Sequence, residues 1–201
     1  MRFTLLASLL LGTAQAILVP SNPGPFSVAM RVKALTDYER TDPSNNTVQR
    51  RVLLSVFWPV SASTKCSKDI VPYMSPATAA SYGPLAKSAG LPENLFSSFE
   101  LEFCGLPKNG GCRASKRAPR FPLVLFAPGL GESRLLYSVT AKSIAAQGYV
   151  VVTTDHPYEA DVVEFPDGSV VLGKRTAGME QQMTEVSTIS TQLITSLQKS
   201  Y

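Results

Sequence analysis

One stretch constrains this chain more than any other. Residues 121–154 read as strand, glycine turn, helix, glycine, strand. Phe121-Pro122-Leu123-Val124-Leu125-Phe126-Ala127 is a short unbroken apolar run, which suits a strand buried on both faces of a parallel sheet. Pro128-Gly129-Leu130-Gly131 makes a tight turn, and Ser133 is placed to cap a helix reaching about Gln147. Leu135, Leu136, Val139, Ile144 and Ala145 are its expected inner positions, and Gly148 stands where a helix commonly ends. Tyr149 to Thr154 is a second buried strand. The unit is βαβ, with a right-handed crossover expected.

The flanks are consistent with one α/β domain. Val28 to Leu35 and Arg51 to Val60 are strand-like, and Asp42-Pro43-Ser44-Asn45-Asn46 between them is a turn cluster. They predict an antiparallel hairpin. Residues 61–119 are rich in Pro, Ser, Ala and Gly and are expected to form an irregular insertion. Short helices are expected there near Pro76 to Ala80 and Gly83 to Ala89, and a strand near Phe99 to Phe103. Val162 to Phe165 and Ser169 to Leu172 flank Pro166-Asp167-Gly168 as a second hairpin. In Gly178 to Lys199, Met183, Val186, Ile189, Leu193, Ile194 and Leu197 are spaced for one helical face.

The first sixteen residues read as a signal peptide, with Arg2, the apolar run Phe3 to Leu11 and small residues at Ala14-Gln15-Ala16. That run falls short of the roughly 20 residues that cross a bilayer, and no later stretch reads as a membrane span. The mature chain is expected to be secreted and to start near Ile17, with residues 17–201 belonging to one domain. In that compartment Asn45-Asn46-Thr47 is a glycosylation sequon, with Asn45 as acceptor. Of the three cysteines, Cys104 and Cys112 are expected to close a short loop around Asn109-Gly110-Gly111, leaving Cys66 over. Their spacing does not suggest a metal site. The net charge of +4 is dispersed, apart from Arg113, Lys116, Arg117 and Arg120. No aromatic pattern accompanies that basic stretch, so nucleic acid is not an expected partner.

The turn at 128–131 lies where open α/β sheets place their ligands, at the carboxyl end of a strand. Gly129 and Gly131 let backbone approach a substrate, and N–H groups there can stabilise the oxyanion of an ester's tetrahedral intermediate. Such a turn can also hold a phosphate, or serve only as a βα connection. The dinucleotide pattern G-x-G-x-x-G fails, because residue 134 is Arg. His156, the sole histidine, follows the second strand and is a candidate substrate contact.

Three blocks carry a family resemblance. They are Phe126-Ala127-Pro128-Gly129-Leu130-Gly131-Glu132-Ser133-Arg134-Leu135-Leu136-Tyr137-Ser138, then Ala146-Gln147-Gly148-Tyr149-Val150-Val151-Val152, then Asp155-His156-Pro157. Pro166-Asp167-Gly168-Ser169, Trp58-Pro59-Val60 and Pro72-Tyr73-Met74 extend them. Together they resemble the platelet-activating-factor acetylhydrolases, especially their fungal secreted relatives. The resemblance implies an α/β-hydrolase fold, seen here as its N-terminal portion: the antiparallel hairpin, then a βαβ unit of a mostly parallel sheet. It implies a serine ester hydrolase of lipid catabolism, without cofactor, acting on a small ester or phospholipid. It assigns the Leu130 N–H as an oxyanion donor. Where the family commonly has His, this chain has Pro128.

A second departure is an absence. No G-x-S-x-G occurs in the 201 residues, and the family's chain order puts nucleophile, acid and base after it. The triad is therefore expected beyond Tyr201, and these residues alone are expected to be inactive and poorly soluble, with a bare sheet edge and face. Gly131-Glu132-Ser133-Arg134-Leu135 is a G-x-S-x-L variant, but Ser133 reads as a helix cap. Two other readings stay open: a non-catalytic secreted lipid- or partner-binding protein, and a cutinase-like polyester hydrolase.

Overall fold

The computed structural model describes residues 16–61, 64–106 and 121–174. Its strands are β1 (Ile17–Leu18), β2 (Ser27–Asp42), β3 (Asn45–Val60), β4 (Ser67–Pro72), β5 (Phe99–Gly105), β6 (Leu123–Phe126), β7 (Val150–Asp155), β8 (Val162–Glu164) and β9 (Val170–Leu172). The α-helices are α1 (Pro76–Ser81), α2 (Gly83–Ser88) and α3 (Ser138–Ala146), with 3₁₀ turns at Leu95–Ser98 and Arg134–Tyr137. Residues 1–15 of the expected signal segment, Cys112, the basic stretch and residues 178–199 lie outside the described residues.

The central sheet has the order β2-β3-β7-β6. β2 and β3 form the expected hairpin, with Ser27 opposite Val60 and Asp42 opposite Asn45. It runs further than expected, 16 residues on each side, through an outer part exposed at Tyr38 to Thr41 and at Asn46 to Arg50. The tip is closed by the Ser44 N–H donating to Asp42 Oδ1 at 2.8 Å. β3 pairs antiparallel with β7, and β7 pairs parallel with β6, Leu123 opposite Val150 through Phe126 opposite Thr153. The βαβ unit is present. Its connection starts as a 3₁₀ turn before α3.

The α3 helix reaches the sheet through small residues. Ala141, Ala145 and Ala146 are buried, and Leu135, Leu136, Val139 and Ile144 pack around them. Val124 and Phe126 pack against this layer. The opposite face of β6 departs from expectation. Leu123 is 61% and Leu125 74% exposed, because nothing among the described residues covers that side. Gly148 ends the helix region with φ +102°, and a Cβ there would meet the Phe26 ring at 3.3 Å.

Residues 64–106 are more ordered than their composition suggested. They hold β4, α1, α2 and β5, and a three-stranded sheet of order β1-β5-β4 forms from β4, β5 and the N-terminal Ile17–Leu18. Tyr73, Met74, Leu101 and Phe103 join Val28, Phe57 and Val151 in the main core cluster. Burying a side chain such as Phe57 stabilises by roughly 1.5–3 kcal/mol. A smaller cluster (Leu53, Ala160, Val163 and Phe165) packs the β8–β9 hairpin on the central sheet. There Arg51 lies over the Phe165 ring at 3.8 Å and bonds Asp167 at 2.7 Å. The Ser169 hydroxyl and amide, then Arg51, hold the Asp167 carboxyl down at about 2.

The disulfide corrects an expectation. Cys104 bonds Cys66, not Cys112. Antiparallel pairing of β4 with β5 sets Lys68 opposite Cys104, and this brings the Cys66 and Cys104 Cα atoms to 4.9 Å across a separation of 38 residues. That separation suits a disulfide without backbone movement. Strand register, not nearness in sequence, chose the partner.

Candidate active site

At the carboxyl end of β6 the chain turns sharply. The Glu132 N–H donates to the Gly129 carbonyl at 3.0 Å, enclosing Leu130 and Gly131. Gly131 has φ +83°, as the third residue of a type II turn requires. Gly131 also bridges Ala160 in parallel, its carbonyl accepting the Asp161 N–H at 3.0 Å. This bridge sets the 128–131 turn beside the turn after β7. Leu130 is 40% exposed, and its N–H has no hydrogen-bond partner among the described residues.

The turn is held from below by Glu132. Its Oε2 accepts the Gly129 N–H at 3.2 Å and the Tyr137 hydroxyl. The bond to Glu132 pushes the Tyr137 phenol up. Ser133 is 2% exposed. Its Oγ accepts the Leu135 N–H at 3.2 Å as the expected cap, and its own N–H donates to the Tyr82 hydroxyl at 2.9 Å. Burial pushes the Tyr82 phenol up, against the pull of that amide. The Tyr73 hydroxyl donates to the Leu136 carbonyl at 2.6 Å, and burial pushes its phenol up to about 12.

Behind the turn lies a buried ion pair that the sequence reading missed. Arg134 is 5% and Asp155 1% exposed. The Arg134 guanidinium donates to Asp155 Oδ2, its backbone N–H to Asp155 Oδ1 at 2.5 Å, and its Nε to Ser55 Oγ at 2.9 Å. Burial drives the Asp155 carboxyl up, while Arg134 and Ser133 pull it back. The only signals for this pair were an Arg entering the helix and an Asp ending the next strand. Asp155 is therefore spent on structure.

His156 follows directly and is half-buried. Its carbonyl accepts the Glu159 and Ala160 N–H groups, which builds the turn at Tyr158, a non-glycine residue with φ +70°. Tyr158 accepts Asn45 Nδ2–H on its hydroxyl at 3.0 Å. Asn45 thus lies at the tip of the β2–β3 hairpin, with its Oδ1 accepting the Thr47 hydroxyl at 2.7 Å. Gly129, Leu130 and Gly131 are together by chain connection, the Gly131 bridge joins them to Ala160, whose N–H bonds the His156 carbonyl, and Asn45 bonds Tyr158 of that same turn. Among the described residues no cluster of His, Cys, Asp and Glu has the makings of a metal site, and no helix is long and apolar enough to cross a membrane.

The family described as platelet-activating factor acetylhydrolase, isoform II, matches residues 11–166. The chain belongs to this family. A relative in this acetylhydrolase family, from Arthroderma benhamiae (strain ATCC MYA-4681 / CBS 112371), is named "Probable 1-alkyl-2-acetylglycerophosphocholine esterase" and is 33% identical over 162 residues. The match covers 79% of this chain and 42% of that protein. Among solved structures, a ferulic acid esterase from Streptomyces cinnamoneus superposes with a TM-score of 0.55 at 25% identity. That match covers 79% of this chain and 41% of the esterase. The chain therefore spans about two fifths of each. The architecture is that of an α/β-hydrolase-type fold, with the described elements supplying its N-terminal hairpin and first βαβ unit.

Proposed function

We propose that this acetylhydrolase-family chain supplies the front part of a secreted carboxylic-ester hydrolase. Its substrates are short-acyl phospholipids of the 1-alkyl-2-acetylglycerophosphocholine kind, and its biological role is lipid breakdown. The carrying observation is the unpaired amide of Leu130, a residue 40% exposed in the turn that follows a parallel strand. When water or a nucleophile adds to an ester carbonyl, negative charge gathers on the acyl oxygen. A fixed N–H aimed at that oxygen stabilises it, and one such donor is worth roughly 10²–10³ in rate. Gly131 puts no side chain beside that amide, and His156, which follows the next strand, is the candidate substrate contact.

Secretion rests on the N-terminal residue pattern. A glycan on Asn45 replaces one Nδ2 hydrogen and leaves the other for Tyr158. The nucleophile, acid and base are assigned to sequence outside these 201 residues, since Ser133 is a buried cap and Asp155 is paired.

Two measurements test the reading. The transcript read past codon 201 is expected to continue in frame into G-x-S-x-G, and that longer product to hydrolyse an acetyl-phospholipid in preference to longer esters. The 201-residue chain alone is expected to turn over no ester and to resist a fluorophosphonate. Labelling of Ser133 contradicts the assignment. A transcript without an elbow replaces it with the lipid-binding alternative.

A further inference from the structure

Four residues around the 129–132 turn form a continuous brace. Phe126, the last residue of β6, packs on the Tyr137 ring at a centroid distance of 4.7 Å. The Tyr137 hydroxyl donates to Glu132 Oε2, and the same oxygen accepts the Gly129 N–H at 3.2 Å. The Glu132 N–H returns to the Gly129 carbonyl at 3.0 Å. Residue 132 thus grips both backbone groups of residue 129, once with its amide and once with its carboxylate. The space the carboxylate fills exists because residue 129 is glycine. A Cβ there would lie 2.8 Å from Oε2.

We propose that Glu132 is a positioning residue for the oxyanion turn: its carboxylate, anchored by Tyr137, locks the turn so that the Leu130 amide stays unpaired and free for substrate. The inference rests on the reading of Leu130 given above and extends it. The Leu130 N–H shares its peptide plane with the Gly129 carbonyl, so turning that amide away breaks the bond from the Glu132 N–H. Glycine at 129 makes such a rotation cheap in itself, and the carboxylate bond to the Gly129 N–H holds the residue on its other side. The carboxylate also satisfies the Gly129 N–H, so that amide does not compete for the incoming oxygen.

The phenol of Tyr137 reports on the brace. Its rise is caused first by the bond to Glu132 and next by burial; the Gly129 amide pulls it back, and Tyr82 also faces it. The experiment uses the full 201-residue chain, labelled with ¹⁵N, and the monoanion of methyl butylphosphonate as a tetrahedral probe. In the parent chain the probe is expected to shift the Leu130 amide resonance. Glu132→Gln keeps an acceptor oxygen for both donors and is expected to bind within about twofold of the parent, whereas Glu132→Ala loses about tenfold in probe affinity. In Glu132→Ala the Tyr137 phenol titrates at lower pH, read as a difference against Tyr137→Phe. Tyr137→Phe itself, which leaves the backbone untouched, is expected to weaken the probe in the same direction. Unchanged probe affinity in both Glu132→Ala and Tyr137→Phe overturns the proposal. A Leu130 amide silent to the probe in the parent, with the Tyr137 shift intact, overturns the oxyanion reading itself while leaving the brace standing.

Discussion

Replacing Asp155 by alanine is expected to cost about 3–5 kcal/mol, the usual penalty for stranding one member of a buried ion pair. The Arg134 guanidinium is left 5% exposed with Ser55 Oγ as its remaining side-chain partner. Its charge then has no counter-ion in a site sealed between the sheet and the start of α3. Domains hold about 5–15 kcal/mol in total, so the variant is expected to give up roughly a fifth or more of that margin. The pair also ties the 3₁₀ turn to the end of β7, through both the side chain and the backbone N–H of Arg134. Losing it loosens the base on which the 128–131 turn stands. The double variant Arg134→Met, Asp155→Leu removes both charges and is expected to recover most of the loss, because well-packed apolar replacements of buried pairs are often neutral. Urea denaturation of the three chains measures this. A single Asp155→Ala variant within about 1 kcal/mol of the parent means that the pair is open to water.

The second large effect concerns the disulfide. Cys104→Ala is expected to cost about 4 kcal/mol on the chain-entropy estimate for a cross-link of this span, the two cysteines lying 38 residues apart. Cys66→Ala should cost the same, and Cys112→Ser should leave the midpoint unchanged. Peptide mapping under non-reducing conditions is expected to find Cys66 linked to Cys104. A linked pair of Cys104 and Cys112 contradicts the register of β4 against β5.

The fold was legible where short-range rules act alone. The apolar runs around Val124 and Val151, the cap at Ser133 and the glycine at 148 each name their element without help from the rest of the chain. The same holds for the hairpin tip at Asp42 to Asn45. Long-range choices were not legible. Cys66 finds Cys104 only after β4 has paired with β5, and Ile17–Leu18 becomes a strand only because β5 offers it a parallel edge. Leu125 reads as a buried residue because its neighbours are apolar, yet its exposure depends on what covers the far face.

The site divides in the same way. Gly129, Leu130 and Gly131 were visible as a turn at a strand's end, since their chemistry lies in the backbone. Glu132, Tyr137 and Arg134 were visible only as members of a matching block. Their roles arise from contacts across one helical turn or between strand and helix, which composition does not encode.

Amide hydrogen exchange at residue 130 bears most closely on all of this. The account predicts exchange near the rate of an unstructured peptide, while the amides of the β6–β7 ladder a few residues away stay strongly protected. Protection at residue 130 equal to that of the ladder would contradict it, since the group that is meant to meet the acyl oxygen would already be engaged.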